Sequence, residues 1–260
     1  MKFLLLAFCL CLALSQCTKK PVWADEFNYA GAPDSTRWNY DLGDGCPDVC
    51  GWGNNEAQFY TRNSKNVRVE NGNLIIEAHK DSAGSKAYTS TRLVSKHKGD
   101  WLYGRIEVRA RLPKGKGTWP AIWMLSTDWK YGGWPASGEI DIMEHVGYDP
   151  GVIHGTIHTE KYNHIKWTQK EGKITIADAM DQFHVYAIDW TKDKIDFFVD
   201  DTLYHSVARE PQDDFTGWPF DQKFHLILNL AVGGNWGGKE GIDEAIWPRR
   251  MEVDYVRVYQ

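Results

Sequence analysis

The chain is 260 residues long, room for one sizeable β domain and little more. A hydrophobic fraction of 42% beside 25% charged residues describes a soluble globular protein with ample material for a core. Its formal charge of −5 and pI near 6.0 argue against a nucleic-acid partner, which calls for a basic face.

The opening stretch "MKFLLLAFCLCLALSQC" holds one Lys, an apolar run from Phe3 to Leu14, then small or polar residues. That order reads as a secretory signal over residues 1–16, too short to span a bilayer as a stable helix. "LSQC" also resembles a bacterial lipobox, with Gln16 where a smaller residue is usual. On that reading Cys17 is lipidated, and the membrane is a partner only through that anchor. Ordinary cleavage nearby is the alternative; either way the protein is exported, to the cell envelope or beyond it. Cys9 and Cys11 leave with the signal. With Cys17 lipidated, "CPDVC" leaves Cys46 and Cys50 as one pair in an export context, and a disulfide is the economical reading. A zinc site competes weakly, having no second Cys pair. Residues 17–22 make a short linker, and 23–260 read as a single domain.

From there strand signals recur with almost no helical period. "VRVENGNLIIEA" reads as two strands about Asn71-Gly72, a pair that favours hairpin turns. "YGRIEVRARL" alternates, with Ile106, Val108 and Ala110 on one face and Arg105, Glu107 and Arg109 on the other. "GTWPAIWML" puts Trp119 and Trp123 on one face, as core or as cleft. "FHVYAIDW", "KIDFFVDDTLYHSV" (tip at Asp200-Asp201), "KFHLILNLAV" and "MEVDYVRVYQ" continue the series, and "IADAMDQF" offers at most a short turn. Many strands without intervening helices indicate an all-β sandwich or jelly roll of two antiparallel sheets. The 13 Trp divide between its core and a binding cleft.

"GEIDIMEHVG" places Glu139, Asp141 and Glu144 in six positions, with the spacing changing from two to three. On a regular strand Glu139 and Asp141 share a face, while Glu144 points the other way. One β-bulge at Ile142–Met143, with Met143 as the inserted residue, returns Glu144 to that face. All three acids then face one cleft, and Ile140 and Ile142 face the core. The outer two, roughly 13 Å apart at Cα, can lean to about 5–5.5 Å between carboxyls, the separation retaining glycosidases use. Three carboxylates so close cannot all ionise freely, which supplies an acid beside a base. An ordinary solvated strand face is the competing reading, but like charges lined up without Lys or Arg between them cost stability.

This stretch resembles the bulged active-site signature Glu-x-Asp-x-x-Glu of glycoside hydrolase family 16. "GWGNNEAQFYT", "YTSTRLVSK", "YGRIEVRARLPKGKGTWPAIWML", "GTIHT" and "NLAVGGNW" agree in family order across nearly all of residues 23–260. Within the family the chain is most similar to bacterial laminarinases, which are endo-acting β-1,3-glucanases. The resemblance implies a β-jelly roll with a substrate cleft on its concave sheet and a retaining double displacement. Glu139 is then the nucleophile, Glu144 the acid/base, and Asp141 the residue that holds the nucleophile. It assigns sugar contacts to Asn54, Glu56, Arg92 and His158, and sugar stacking to Trp119 and Trp123. His154 shares a strand face with His158, which raises a metal reading that the acid spacing does not need. Trp101 and Tyr103 stay open between core and cleft, and Gly237 departs from the family after Trp236. No catalytic cofactor is implied. A structural Ca²⁺ is, held by backbone oxygens of Glu26 and Gly72 and the Asp254 carboxylate. The expected partner is a β-glucan polysaccharide, acted on by a monomer. The rivals are a sister enzyme on mixed-linkage glucan or algal galactan, and a β-glucan-binding recognition protein, which typically lacks the acids.

Overall fold

A computed structural model describes residues 19–260, so the predicted signal and Cys17 lie outside the described residues. Two large antiparallel sheets face each other as a β-jelly roll. The back sheet runs in the order β16 (Thr202–Ala208), β15 (Lys194–Val199), β14 (His184–Trp190), β9 (Gly104–Arg111), β18 (Arg249–Tyr259), β5 (Asn73–Ala78) and β4 (Val67–Glu70). A short β1 (Trp23–Asp25) adds to β18. The front sheet runs β13 (Lys170–Thr175), β12 (Val152–His158), β11 (Glu139–Glu144), β10 (Thr118–Ser126), β17 (Phe224–Val232), β7 (Arg92–Val94) and β2 (Asn39–Asp41). There β8 (Asp100–Trp101) also pairs with β17. A small parallel pair, β3 (Gln58–Tyr60) with β6 (Tyr88–Ser90), lies beside them.

Alternation explains the two layers. On β9, Ile106, Val108 and Ala110 are fully buried; on β17, Phe224, Leu226, Leu228, Leu230 and Val232 are too, and the two sets meet in one core. Asn71 and Gly72 both take positive φ, 52° and 77°, in a two-residue turn between β4 and β5. That double left-handed turn matches the twist of the strands it joins, which is why Asn-Gly suits it. "IADAMDQF" forms turns, and the one helix among the described residues is the short 3-10 segment Cys50–Gly53. Cys46 and Cys50 are joined as a disulfide beside it. Trp101 belongs to the core, edge-on to Trp23, and the half-buried Tyr103 packs against it, edge-on to Trp190.

Candidate active site

The acids lie on β11, near the middle of the front sheet, on the face turned away from the core. The strand register explains how. Against β10, Glu139, Ile140 and Asp141 pair with Leu125, Met124 and Trp123 in turn; then Met143 pairs with Ile122 and Glu144 with Ala121. Against β12, Asp141 pairs with Thr156 and Glu144 with His154, three steps on one strand against two on the other. The bulge is therefore at Ile142–Met143, but the residue without a partner on β10 is Ile142. This corrects the expectation for Met143. Both bulge residues are buried in the same core as Ile140, because two successive side chains of a bulge point to one side. Three apolar anchors thus fix the strand that carries the three acids.

Glycines close both ends of the motif. Gly138 has φ +82°, and a Cβ there would stand 2.8 Å from Pro219 Cγ. At Gly147 a Cβ would stand 1.9 Å from the Gly115 carbonyl oxygen. A side chain at either place would force its surroundings to shift, and at Gly138 it would also strain the backbone.

Each acid has its own aromatic or imidazole neighbour. The Trp134 indole donates to Glu139 Oε2 at 2.8 Å, and the Trp119 indole donates to Glu144 Oε1 at 3.0 Å. His158 Nε2 sits 3.3 Å from Asp141 Oδ2 and 3.9 Å from Glu139 Oε1, and no Lys or Arg pairs with the acids among the described residues. Burial first, and the Asp141 charge second, push Glu139 up to about 8. Burial first, and the Glu139 charge second, push Glu144 up to about 7. Asp141 is raised well above its ordinary value by burial and then by Glu144. With all three raised, the carboxyls hold fewer than three charges around neutrality.

Glu139, Asp141 and His158 also bring ligand atoms within 4.8 Å of one another. Trp134 donates to Oε2 of Glu139, whereas Oε1 is the oxygen that faces His158. His154 does not join this group. It pairs across from Glu144, and its Nδ1 lies 2.5 Å from Glu171 Oε1.

The wall on the β7 side is a stack. The Arg92 guanidinium lies 4.5 Å over the Trp52 ring and 4.8 Å over the Trp123 ring, with Nε 3.0 Å from Asp41. Asn54 is half-buried at the edge of this wall, and its carbonyl accepts from the Asn235 backbone at 2.7 Å. Arg92 and Trp123, both expected to contact sugar, thus lie together with Trp52, which the sequence did not single out. Trp119 is 9% exposed and edge-on to Trp236, with its N–H on Glu144, so beside the expected sugar stacking it also holds the acid. Strand phase gives the face of a residue but not its rotamer, which is why the sequence did not show this second contact.

The sequence missed Trp134, His164, Asn229 and Glu171. Trp134 and His164 sit in irregular loops, and His164 packs on both Trp134 and His158 at ring distances of 5.1 and 5.2 Å. Asn229 carried a usable signal, a lone amide within the apolar run of β17. The expected calcium ligands converge at one corner of the back sheet, since Asp25 pairs with Val256 and Val253 with Leu74. Yet Arg109 already sits 2.5 Å from Asp254 Oδ2, a cation beside the one carboxylate of the set.

Comparison with known proteins gives the family. Residues 54–257 match the profile described as Glycosyl hydrolases family 16. The chain belongs to that family. It is 54% identical to a "Beta-glucanase" of Rhodothermus marinus, over 92% of this chain and 84% of the relative. The solved laminarinase of Rhodothermus marinus superposes with a TM-score of 0.89 at 53% identity, covering 93% and 97% of the two chains. A "Glucan endo-1,3-beta-glucosidase" of Cryptopygus antarcticus is 42% identical over 98% and 96%. The structure of SCLam, described as a non-specific endo-beta-1,3(4)-glucanase, matches with a TM-score of 0.86 at 52% identity, covering 93% and 91%.

Proposed function

We propose that this family 16 protein is an exported, retaining endo-β-1,3-glucanase acting on laminarin-type β-glucans. The observation that carries the reading is the bulge, which turns Glu139, Asp141 and Glu144 to one face without a compensating cation. Glu139 attacks the anomeric carbon while the glycosidic bond breaks, and the Glu144 proton passes to the leaving oxygen. The Glu144 carboxylate then takes a proton from water, whose oxygen displaces Glu139 from the sugar. Asp141 holds the shared proton beside Glu139, and Trp134 donates a hydrogen bond to the same carboxylate. Glu144 must be protonated and Glu139 ionised to act. Burial and the neighbouring acids raise both, so the proton they retain has to sit on Glu144, and hydrolysis falls at high pH as that proton is lost.

The test is laminarin digestion followed by proton NMR before mutarotation. β-Anomer products are expected; α-anomer products, or no cleavage, would overturn the reading. A mixed-linkage activity is the second reading, favoured by the described breadth of SCLam, and a parallel digest of lichenan, agarose and carrageenan separates the substrates. The disulfide supports export into an oxidising compartment. Calcium at the Glu26–Gly72–Asp254 corner is proposed as a weak site, since Arg109 must first give up Asp254. A Tm raised by CaCl2 and lost on adding EDTA supports it, and an unchanged Tm removes it. Lipidation at Cys17 and a monomeric state are proposals that mass spectrometry and sedimentation decide.

A further inference from the structure

Beneath the Trp52–Arg92–Trp123 wall runs a line of hydrogen bonds that the chemistry above does not use. It starts at Glu56, which is only 6% exposed. Glu56 Oε2 accepts from the Gln58 amide at 2.6 Å and from the Tyr60 hydroxyl at 3.2 Å. Gln58 cannot turn its amide round, because its Oε1 accepts the Val232 backbone N–H at 2.7 Å. Tyr60 has a single O–H. With that proton on Glu56, its oxygen is left to accept from Asn229 Nδ2, at 3.1 Å. The Asn229 amide is thereby oriented, and its Oδ1 accepts the Trp123 indole N–H at 2.7 Å. Each donor is forced by the acceptor before it, back to a carboxylate that only accepts when ionised. Burial raises the Glu56 pKa, and the Gln58 hydrogen bond and the Arg92 charge offset part of that rise; the geometry of the line needs only an acceptor oxygen at this place.

We propose that Glu56 is a positioning residue for sugar binding, acting through Tyr60 and Asn229 to fix the Trp123 indole and the Arg92 guanidinium stacked on it. This rests on the β-glucan reading of the cleft. It moves Glu56 from a direct sugar contact to a buried anchor, since its carboxylate faces inward to Gln58 and Tyr60. Trp123 stands opposite Asp141 on the neighbouring strand, so a tilted indole would misplace the sugar next to the acids.

Tyr60→Phe removes one oxygen and keeps the ring, so it breaks the line with little risk to folding. Its KM on laminarin should rise about three- to thirtyfold, the range of one lost hydrogen bond, with kcat nearly unchanged. The Trp123 indole N–H resonance, assigned by its absence in Trp123→Phe, should move in the substrate-free protein. Glu56→Leu should give the same two effects, the double variant should add nothing to either, and Glu56→Gln should restore KM by keeping an acceptor oxygen. An unmoved resonance, an unchanged KM in Tyr60→Phe, or additive effects in the double variant would overturn the proposal. Wild-type protein inert on laminarin would instead overturn the reading of the cleft, and the resonance would still decide the line.

Discussion

The outer faces of the two sheets both carry acids, and the acids of β11 are treated in the opposite way from those of the back sheet. On the back sheet every acid of the β9–β18 region has a guanidinium beside it: Glu107 with Arg105 at 2.5 Å, Glu252 with Arg111 at 2.8 Å, and Glu26 with Arg257 at 2.8 Å. On the front sheet, Glu139, Asp141 and Glu144 have only His158 and two indole N–H groups. The pKa directions follow. Arg257 holds Glu26 below its ordinary value, whereas burial and mutual repulsion raise all three front-sheet acids. A carboxylate neutralised by a neighbour is surface chemistry; one left buried and unpaired stores the proton that catalysis needs.

The sharpest way to break this contrast is to remove one acid from each face. Glu139→Gln and Glu144→Gln should each lower laminarin turnover by about 10²–10⁴-fold, while Glu107→Gln should leave it nearly intact. Azide should rescue Glu139→Ala as an α-glycosyl azide and Glu144→Ala as a β-glycosyl azide, since only the first lacks its own nucleophile. Comparable losses from Glu107→Gln would mean that charge on either face matters equally.

Next in size is the bulge; the one acid of β9, Glu107, sits in regular pairing with Ala187 and Arg257 instead. Deleting Ile142 restores regular pairing with β10 and should swing Glu144 to the core side, or shift the register of the strand. Turnover should fall at least about 100-fold in protein that circular dichroism shows folded. Met143→Leu keeps the count and most of the volume and should stay active. Full activity in a folded Ile142 deletant would sink the claim that the bulge places Glu144.

Much of this contrast was legible in the residues. Alternation on β9 and the lack of Lys or Arg among the three acids showed two kinds of face, and the change of spacing implied a bulge. Which residue was extra was not legible, because inserting Ile142 or Met143 changes the phase equally; only pairing with β10 separates them. Trp119 and Trp123 share a strand face, yet one indole ends on Glu144 and the other on Asn229. Those endings depend on rotamers and on strands distant in sequence. Trp134 gave no signal because a loop has no period to break.

The smallest effect tests the same contrast through stability. A carboxyl whose pKa is raised on folding contributes stability that is complete below its unfolded pKa and is lost as pH rises through the folded one. For Glu144 that window runs from the ordinary carboxylate range to about 7. Glu144→Gln, which cannot ionise, should therefore melt higher than wild type at pH 8 and no higher at pH 4. The gain should be on the order of 1–3 kcal/mol at pH 8, a few degrees in Tm for a domain of this size. Glu26 has the opposite sign. Its lowered pKa contributes stability above the ordinary carboxylate range and loses it as pH falls, so Glu26→Gln should melt lower at pH 8 and lose that deficit in acid. With 39% of its side chain exposed, solvent screening limits the effect to a few tenths of a kcal/mol. Thermal melts of both variants at pH 4 and pH 8 give four differences. If Glu144→Gln destabilises at pH 8, the front-sheet acids are satisfied where they stand, and the two faces differ in geometry alone.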